Sequence, residues 1–169
     1  NLQPIAPGAK EGLSLVNGTP CMTGLACLAL DDAERLMNWA DVTGAMSFEA
    51  LRGQLVAFDA EILALKASPG IQTSGQRLRE LLAGSRLLAE SEGLRTQDAL
   101  SLRSMPQVHG ACRDQFSHAQ TQINIELNAC TDNPLILGTL EQWRVVSQAH
   151  PHGESVAMAC DLLAIAMAE

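Results

Sequence analysis

A chain of 169 residues is long enough to bury a hydrophobic core and suits one domain or one lobe of something larger. Its 19 acidic against 11 basic residues give a formal charge of −8, which excludes a broad basic face and with it nucleic acid or an anionic membrane surface as partner. Aromatics make up only 3% and tyrosine is absent, against the composition of a β-sandwich or barrel, while alanine and leucine recur throughout and predict an all-α protein.

Residues 1–16 carry Pro4, Pro7 and Gly8 and read as an irregular lead-in. Asn17 and Gly18 then make a turn, Thr19 is placed to cap, and Pro20 suits a first helical position, where no amide hydrogen is needed. From Cys21 to about Arg52, the residues Met22, Leu25, Leu28, Leu36, Val42, Met46 and Leu51 recur at helical spacing. They predict one very long helix, or two nearly continuous ones, with apolar or small residues on several sides and a place inside a bundle. Gly53 ends it, and Asp59 caps a short helix in FDAEILALK. Ser68 to Gly70 reads as a turn, residues 71–83 as an amphipathic helix with Ile71, Leu78, Leu81 and Leu82 on one side, and the polar run from Gly84 as an exposed loop.

Between Thr96 and Phe116 a polar segment meets a long apolar pattern, with Gln97, Asp98, Ser101, Arg103 and Gln107 crowded before it and Ser104 and Pro106 offering a helix start. Val108, Cys112, Phe116, Ala119, Ile123 and Leu127 carry that helix from Pro106 to about Thr131, roughly 40 Å of it. Pro134 stops it. Two apolar runs, Leu135 to Leu137 and Trp143 to Val146, flank a turn and predict a small β-hairpin, and a last helix begins near Gly153. With no initial Met and an apolar helical pattern still running at LLAIAMAE, residues 1–169 read as the central helical segment of a longer protein, truncated at both ends. No signal peptide and no uncharged apolar run long enough for a bilayer stand out.

The five cysteines Cys21, Cys27, Cys112, Cys130 and Cys160 form no C-x-x-C pair and sit among apolar residues, which points to a reducing, cytoplasmic setting. Cys112 and Cys130 read as small core hydrophobes of the long helix. His150 and His152 share a loop, whereas His109 and His118 fall on different helix faces, and no carboxylate or thiol completes a metal-ligand set, so no metal is expected. A nucleophile elbow and a phosphate loop are absent as well. What remains is Asn17, Gln97, Arg103 and Asn133, each at a helix boundary where side chains of several helices meet. The planar fork of Arg103 suits a carboxylate, or it pairs with Asp98 or Asp114 and only caps its helix.

Four segments in order, LVNGTP, QDALSLRSMPQVHGA, ELNACTDNPL and HGESVA, resemble the histidine and aromatic amino acid ammonia-lyases, and the likeness runs along nearly the whole chain. The resemblance implies a long-helix central bundle of the fumarase/aspartase-like type and a homotetramer whose active sites draw on more than one subunit. It implies elimination of ammonia from L-histidine or a related aromatic L-amino acid through an electrophilic methylidene-imidazolone, which forms from an Ala-Ser-Gly run. By the same resemblance Asn17 lies near that group and the substrate, Gln97 supports the site by hydrogen bonding, Arg103 holds the substrate carboxylate and Asn133 helps fix the substrate.

Two departures stand out. Leu100 occupies the place of the tyrosine that serves as catalytic base or acid, and QAHPHGE puts His150 and Pro151 where the family has an asparagine and an aromatic. No Ala-Ser-Gly occurs, and Thr73 to Gly75 is only superficially similar, so the methylidene-imidazolone is expected in the full-length parent, not formed by this chain, which alone is expected to be inactive and to self-associate. For the parent, one reading is an enzyme in which His150 or another group moves the proton. The other is a non-catalytic paralogue acting as a helical assembly or binding module.

Overall fold

The structure, a computed structural model that describes residues 2–169, runs in order through α1 (Glu11–Val16), α2 (Pro20–Ala50), a 3-10 turn (Leu55–Phe58), α3 (Ala60–Ala64), α4 (Pro69–Leu81), α5 (Arg86–Ser91), α6 (Leu100–Arg103), α7 (Met105–Leu127), β1 (Leu135–Gly138), β2 (Trp143–Val146) and α8 (Glu154–Ala168). The all-α expectation and the hairpin both hold. The two strands pair antiparallel, with Leu135 opposite Val146 and Gly138 opposite Trp143. Pro20 stands in the first turn of α2, and the Asp59 carboxylate takes the amides of Glu61 and Ile62 at the start of α3.

Local chemistry corrects four boundaries. Residues 11–16 are helical rather than irregular. Ser68 to Gly70 is the opening of α4, with Ser68 accepting the Ile71 amide and Pro69 filling the first position. The expected loop after Gly84 contains α5, capped by Ser85, with Leu88 and Ser91 buried. Both α1 and α5 are six residues long, too short to display a helical period. The Thr19 hydroxyl does not cap α2; it donates to Glu126 at 2.5 Å. The long helix stops at Leu127, so Cys130 lies outside it and is exposed, while Cys112 is half-buried with its thiol on the Ala166 carbonyl.

The burial of α2 also differs from expectation. Its inward stripe alternates alanines with larger residues: Ala26, Leu30, Ala33 and Met37 pack on Phe116, Ala119 and Ile123 of α7 and on Val156, Ala159 and Leu163 of α8. A second cluster joins Ala45 and Phe48 of α2 to Phe58, Leu78, Leu82 and Leu88. The large residues Leu25, Leu28, Leu36, Trp39 and Met46 face outward. The alanines let helix axes approach closely, which is why the face that carries Ala26 and Ala33 meets α7 and α8. Against the expectation that no apolar run is long enough for a bilayer, the run Glu11–Ala50 passes as long and apolar enough to cross a membrane by length and composition. Here that same composition supplies the stripe packed on α7 and α8.

Between α4 and α7 the backbones themselves meet. A Cβ on Gly110 would strike the backbone of Gly70 and Ile71, and one on Gly70 would strike the Gly110 carbonyl. Asp114 fastens the crossing, accepting the Gly70 amide at 2.8 Å and the Ser68 hydroxyl at 2.6 Å.

At the centre of α2 sits Asp41, 0% exposed. It accepts from Arg77 of α4 at 3.0 Å, from Arg113 of α7 at 2.5 Å and from His109 Nδ1 of α7 at 2.8 Å. Arg113 also donates to the Ser74 hydroxyl at 3.1 Å and the Met37 carbonyl at 3.3 Å. Burial alone would push the Asp41 carboxyl up, but hydrogen bonds from His109 and Arg113, and their charge, hold it below the ordinary aspartate range. A carboxylate lowered on folding contributes stability above its unfolded pKa and loses that contribution as pH falls through the folded value.

Asp41→Asn is therefore expected to cost about 3 kcal/mol at neutral pH, because the partly buried Arg113 and Arg77 lose their counter-charge. Urea unfolding checks this. The gap between variant and wild type should shrink as pH is taken below the ordinary aspartate range; a gap that stays constant with pH would show that Asp41 is not the charged partner.

Candidate functional site

The residues singled out in the sequence fall into two groups, one at each end of α7. At its C-terminal end, Gly18 takes a φ of +118°, and a Cβ there would lie 3.2 Å from the Thr131 carbonyl. That close passage sets Asn17, at the end of α1, beside the loop that follows α7. In this loop the Asn133 side-chain oxygen accepts the Gln148 amide at 2.8 Å and the Ser147 hydroxyl at 3.5 Å, and the Asn133–Pro134 bond is cis. His150 Nδ1 lies 3.1 Å from the Cys130 carbonyl. A carbonyl only accepts, so Nδ1 carries the hydrogen and, in the neutral ring, Nε2 is left as an acceptor. Asn17, Asn133 and His150 thus share one end, next to a cleft of about 650 Å³ lined in part by Lys10, Ser14, Cys130 and Asp132.

At the opposite end stand Gln97, Leu100 and Arg103. Gln97 is exposed, and Leu100, the first residue of α6, is 66% exposed. Arg103 closes α6 with its Nε buried and without a hydrogen-bond partner. Neither carboxylate considered for it bonds to it, although the Asp98 Oδ1 is itself buried without a hydrogen bond. Asp98 accepts the Gln54 amide at 2.5 Å and lies 3.0 Å from the Arg95 guanidinium, and Asp114 is held by Ser68 and Gly70. Gln107, one turn further along, also has a buried side-chain oxygen with no partner. In the sequence it was only one of a crowd of polar residues; its four-residue spacing from Arg103 is the signal that ties it to the same face.

Gln97 and Arg103 are thus separated from Asn17 and Asn133 by the 23 residues of α7, about 35 Å of rigid helix. Within one chain the two groups do not converge. The arginine end offers a fork for a carboxylate, and the other end offers two amides and an imidazole. Among the described residues no cluster of His, Cys, Asp and Glu is arranged to hold a metal ion.

The family model for aromatic amino acid lyases matches residues 1–169. The histidine ammonia-lyase of Gloeobacter violaceus is 48% identical over 99% of this chain and 32% of its own length. Among solved structures, histidine ammonia-lyase from Trypanosoma cruzi superposes with a TM-score of 0.82 at 37% identity, covering 98% of this chain and 30% of that one. Phenylalanine aminomutase from Pantoea agglomerans superposes at 0.87 and 34% identity, covering 98% of this chain and 35% of that one. The chain spans about a third of the length of the curated relatives it matches.

The orphaned guanidinium nitrogen makes a stability test possible. Arg103→Met should leave the unfolding free energy within about 0.5 kcal/mol of wild type, since it removes a buried donor that bonds nothing in the chain. Arg113→Met should lose about 3 kcal/mol, because it takes from the buried Asp41 the less exposed of its two guanidinium partners. Urea titration of both variants gives the comparison, and equal losses would mean that Arg103 serves the fold.

Proposed function

Since this chain belongs to the aromatic amino acid lyase family, matched along residues 1–169, we propose that the protein it forms part of eliminates ammonia from L-histidine or a related aromatic L-amino acid. The observation that carries this reading is Arg103, whose buried Nε has no partner although two carboxylates lie near it in sequence. A substrate carboxylate satisfies that fork with two parallel hydrogen bonds. Asn133, held by Gln148, fixes the other end of the substrate. The separation of the two groups along α7 supports an assembly, a homotetramer, in which one copy supplies the arginine and another the amides.

A methylidene-imidazolone, formed by sequence outside these residues, would supply the electrophile that makes the amino group a leaving group. The donors present suit it: Asn17 and Gln97 are exposed carboxamides, able to hydrogen-bond its carbonyl oxygen. Proton transfer falls to this chain's own groups. Leu100 neither gives nor takes a proton, so His150 Nε2, left as an acceptor by the Cys130 carbonyl, takes the proton from the substrate's β-carbon.

One observation favours a second reading, a non-catalytic paralogue that serves as a helical assembly or binding module. The place of the family's tyrosine is a hydrocarbon, Leu100, open to solvent.

Turnover by the whole protein separates the two. Incubated with L-histidine, L-phenylalanine or L-tyrosine, it should release the absorbing unsaturated acid slowly. Leu100→Tyr should accelerate that release by about a hundredfold, the usual scale for a positioned acid or base. His150→Ala should slow the wild type, and unchanged turnover would remove the histidine from the reaction. Silence of both the wild type and Leu100→Tyr with all three substrates establishes the second reading.

A further inference from the structure

We propose that Asp132 is a positioning residue that sets Asn17 and Asn133 against one another, an inference that rests on reading those two amides as parts of the substrate site. Asp132 lies in the loop between α7 and β1, and each of its oxygens holds a different segment. Oδ1 accepts the Asn133 amide at 2.7 Å. Oδ2 accepts the Ser14 hydroxyl at 2.8 Å, on the helix whose end carries Asn17, and the ammonium of Lys10, which precedes that helix. The Asp132 carbonyl accepts the Gln148 carboxamide, and Gln148 in turn donates its backbone amide to the Asn133 side chain and accepts the His150 amide. One residue thereby links α1, the Asn133 loop and the strand exit that carries His150.

Stability does not account for this arrangement. The Lys10 and Asp132 side chains keep 25% and 29% of their surface exposed, so water screens part of their attraction and the pair by itself adds only modestly to folding. Yet Lys10 takes a φ of +71°, a left-handed conformation that a lysine rarely adopts, at the very start of α1. The chain thus holds an unfavourable backbone conformation where its only visible return is the placement of α1 on the loop. Hydrogen bonds from Lys10 and then Ser14 also hold the Asp132 carboxyl below the ordinary aspartate range, so it is charged wherever the protein works. Sequence proximity hides the arrangement, since Lys10 and Asp132 are 122 residues apart.

The test is a mutant cycle in the whole protein. Asp132→Ala should lower kcat/KM about a hundredfold, carried mainly by KM, as expected when a substrate-fixing amide is displaced by an ångström or so. Asp132→Asn keeps an acceptor for the Asn133 amide and should recover most of that loss. Added to Asn133→Ala, the Asp132→Ala change should cost less than about twofold more, because its effect runs through an amide already gone. Losses that multiply, or that fall on kcat with KM unmoved, overturn the inference. Hydrogen exchange supplies a readout free of catalysis. Asp132→Ala should speed exchange in residues 11–17 and 147–150 while α4 and α7 keep their protection, and a rise confined to residues 131–134 overturns it. If the wild type shows no turnover, the lyase reading falls by itself, and the exchange pattern decides whether Asp132 couples these segments.

Discussion

A carboxylate shut away from water stays charged only where cations face it, and Asp41 meets that condition with groups drawn from two other helices. α2 gives the acid, α4 gives Arg77, and α7 gives His109 and Arg113. Apolar packing alone would hold these helices together without fixing how far each is slid along its neighbours, since alanine stripes tolerate sliding. A buried charge does not tolerate it, because a shift of one turn would part the Asp41 carboxylate from its guanidinium partners. The contact between Gly70 and Gly110 belongs to the same arrangement: it brings α4 near enough for Ser74 to meet Arg113. Register, more than cohesion, is what this cluster gives the bundle.

The parts of the fold legible in the sequence were those with length on their side. α2, α7 and α8 are long enough for their apolar period to show, and two apolar runs flanking a turn just after Pro134 marked the hairpin. α1 and α5 were hidden because six residues hold less than two turns. Which face of α2 turns inward was hidden for another reason. Hydropathy ranks Leu25 and Leu28 above Ala26 and Ala33, whereas close axial packing prefers the alanines. Asp41 was equally silent: nothing local distinguishes it from Asp31, whose carboxylate pairs with Arg35 on the surface of the same helix.

The candidate site divides in the same way. Asn17, Gln97, Arg103 and Asn133 were found through segments that resemble a family, and the match over residues 1–169 places the chain in it. Their grouping into two ends follows from the helix between them. The solitary state of Arg103 could not be read, because it depends on Asp98 turning to the Gln54 amide and the Arg95 guanidinium and on Asp114 being held by Ser68 and Gly70. Asp132 was missed because its partners lie in a stretch whose prolines and glycine suggested no structure at all.

The unbroken length of α7 has a consequence for how such a chain can change over generations. Residues added in the turn at 139–142 or between Ala83 and Gly84 lengthen a surface segment and leave the helices where they are. One residue added between Gly110 and Leu127 would rotate everything beyond it by about 100° and advance it by about 1.5 Å. The glycine crossing would stay in place while Asn133 swung away from the direction that Arg103 keeps. α7 thus behaves as a gauge whose count of residues is inherited whole, free to vary in composition along its outer face and closed to insertion.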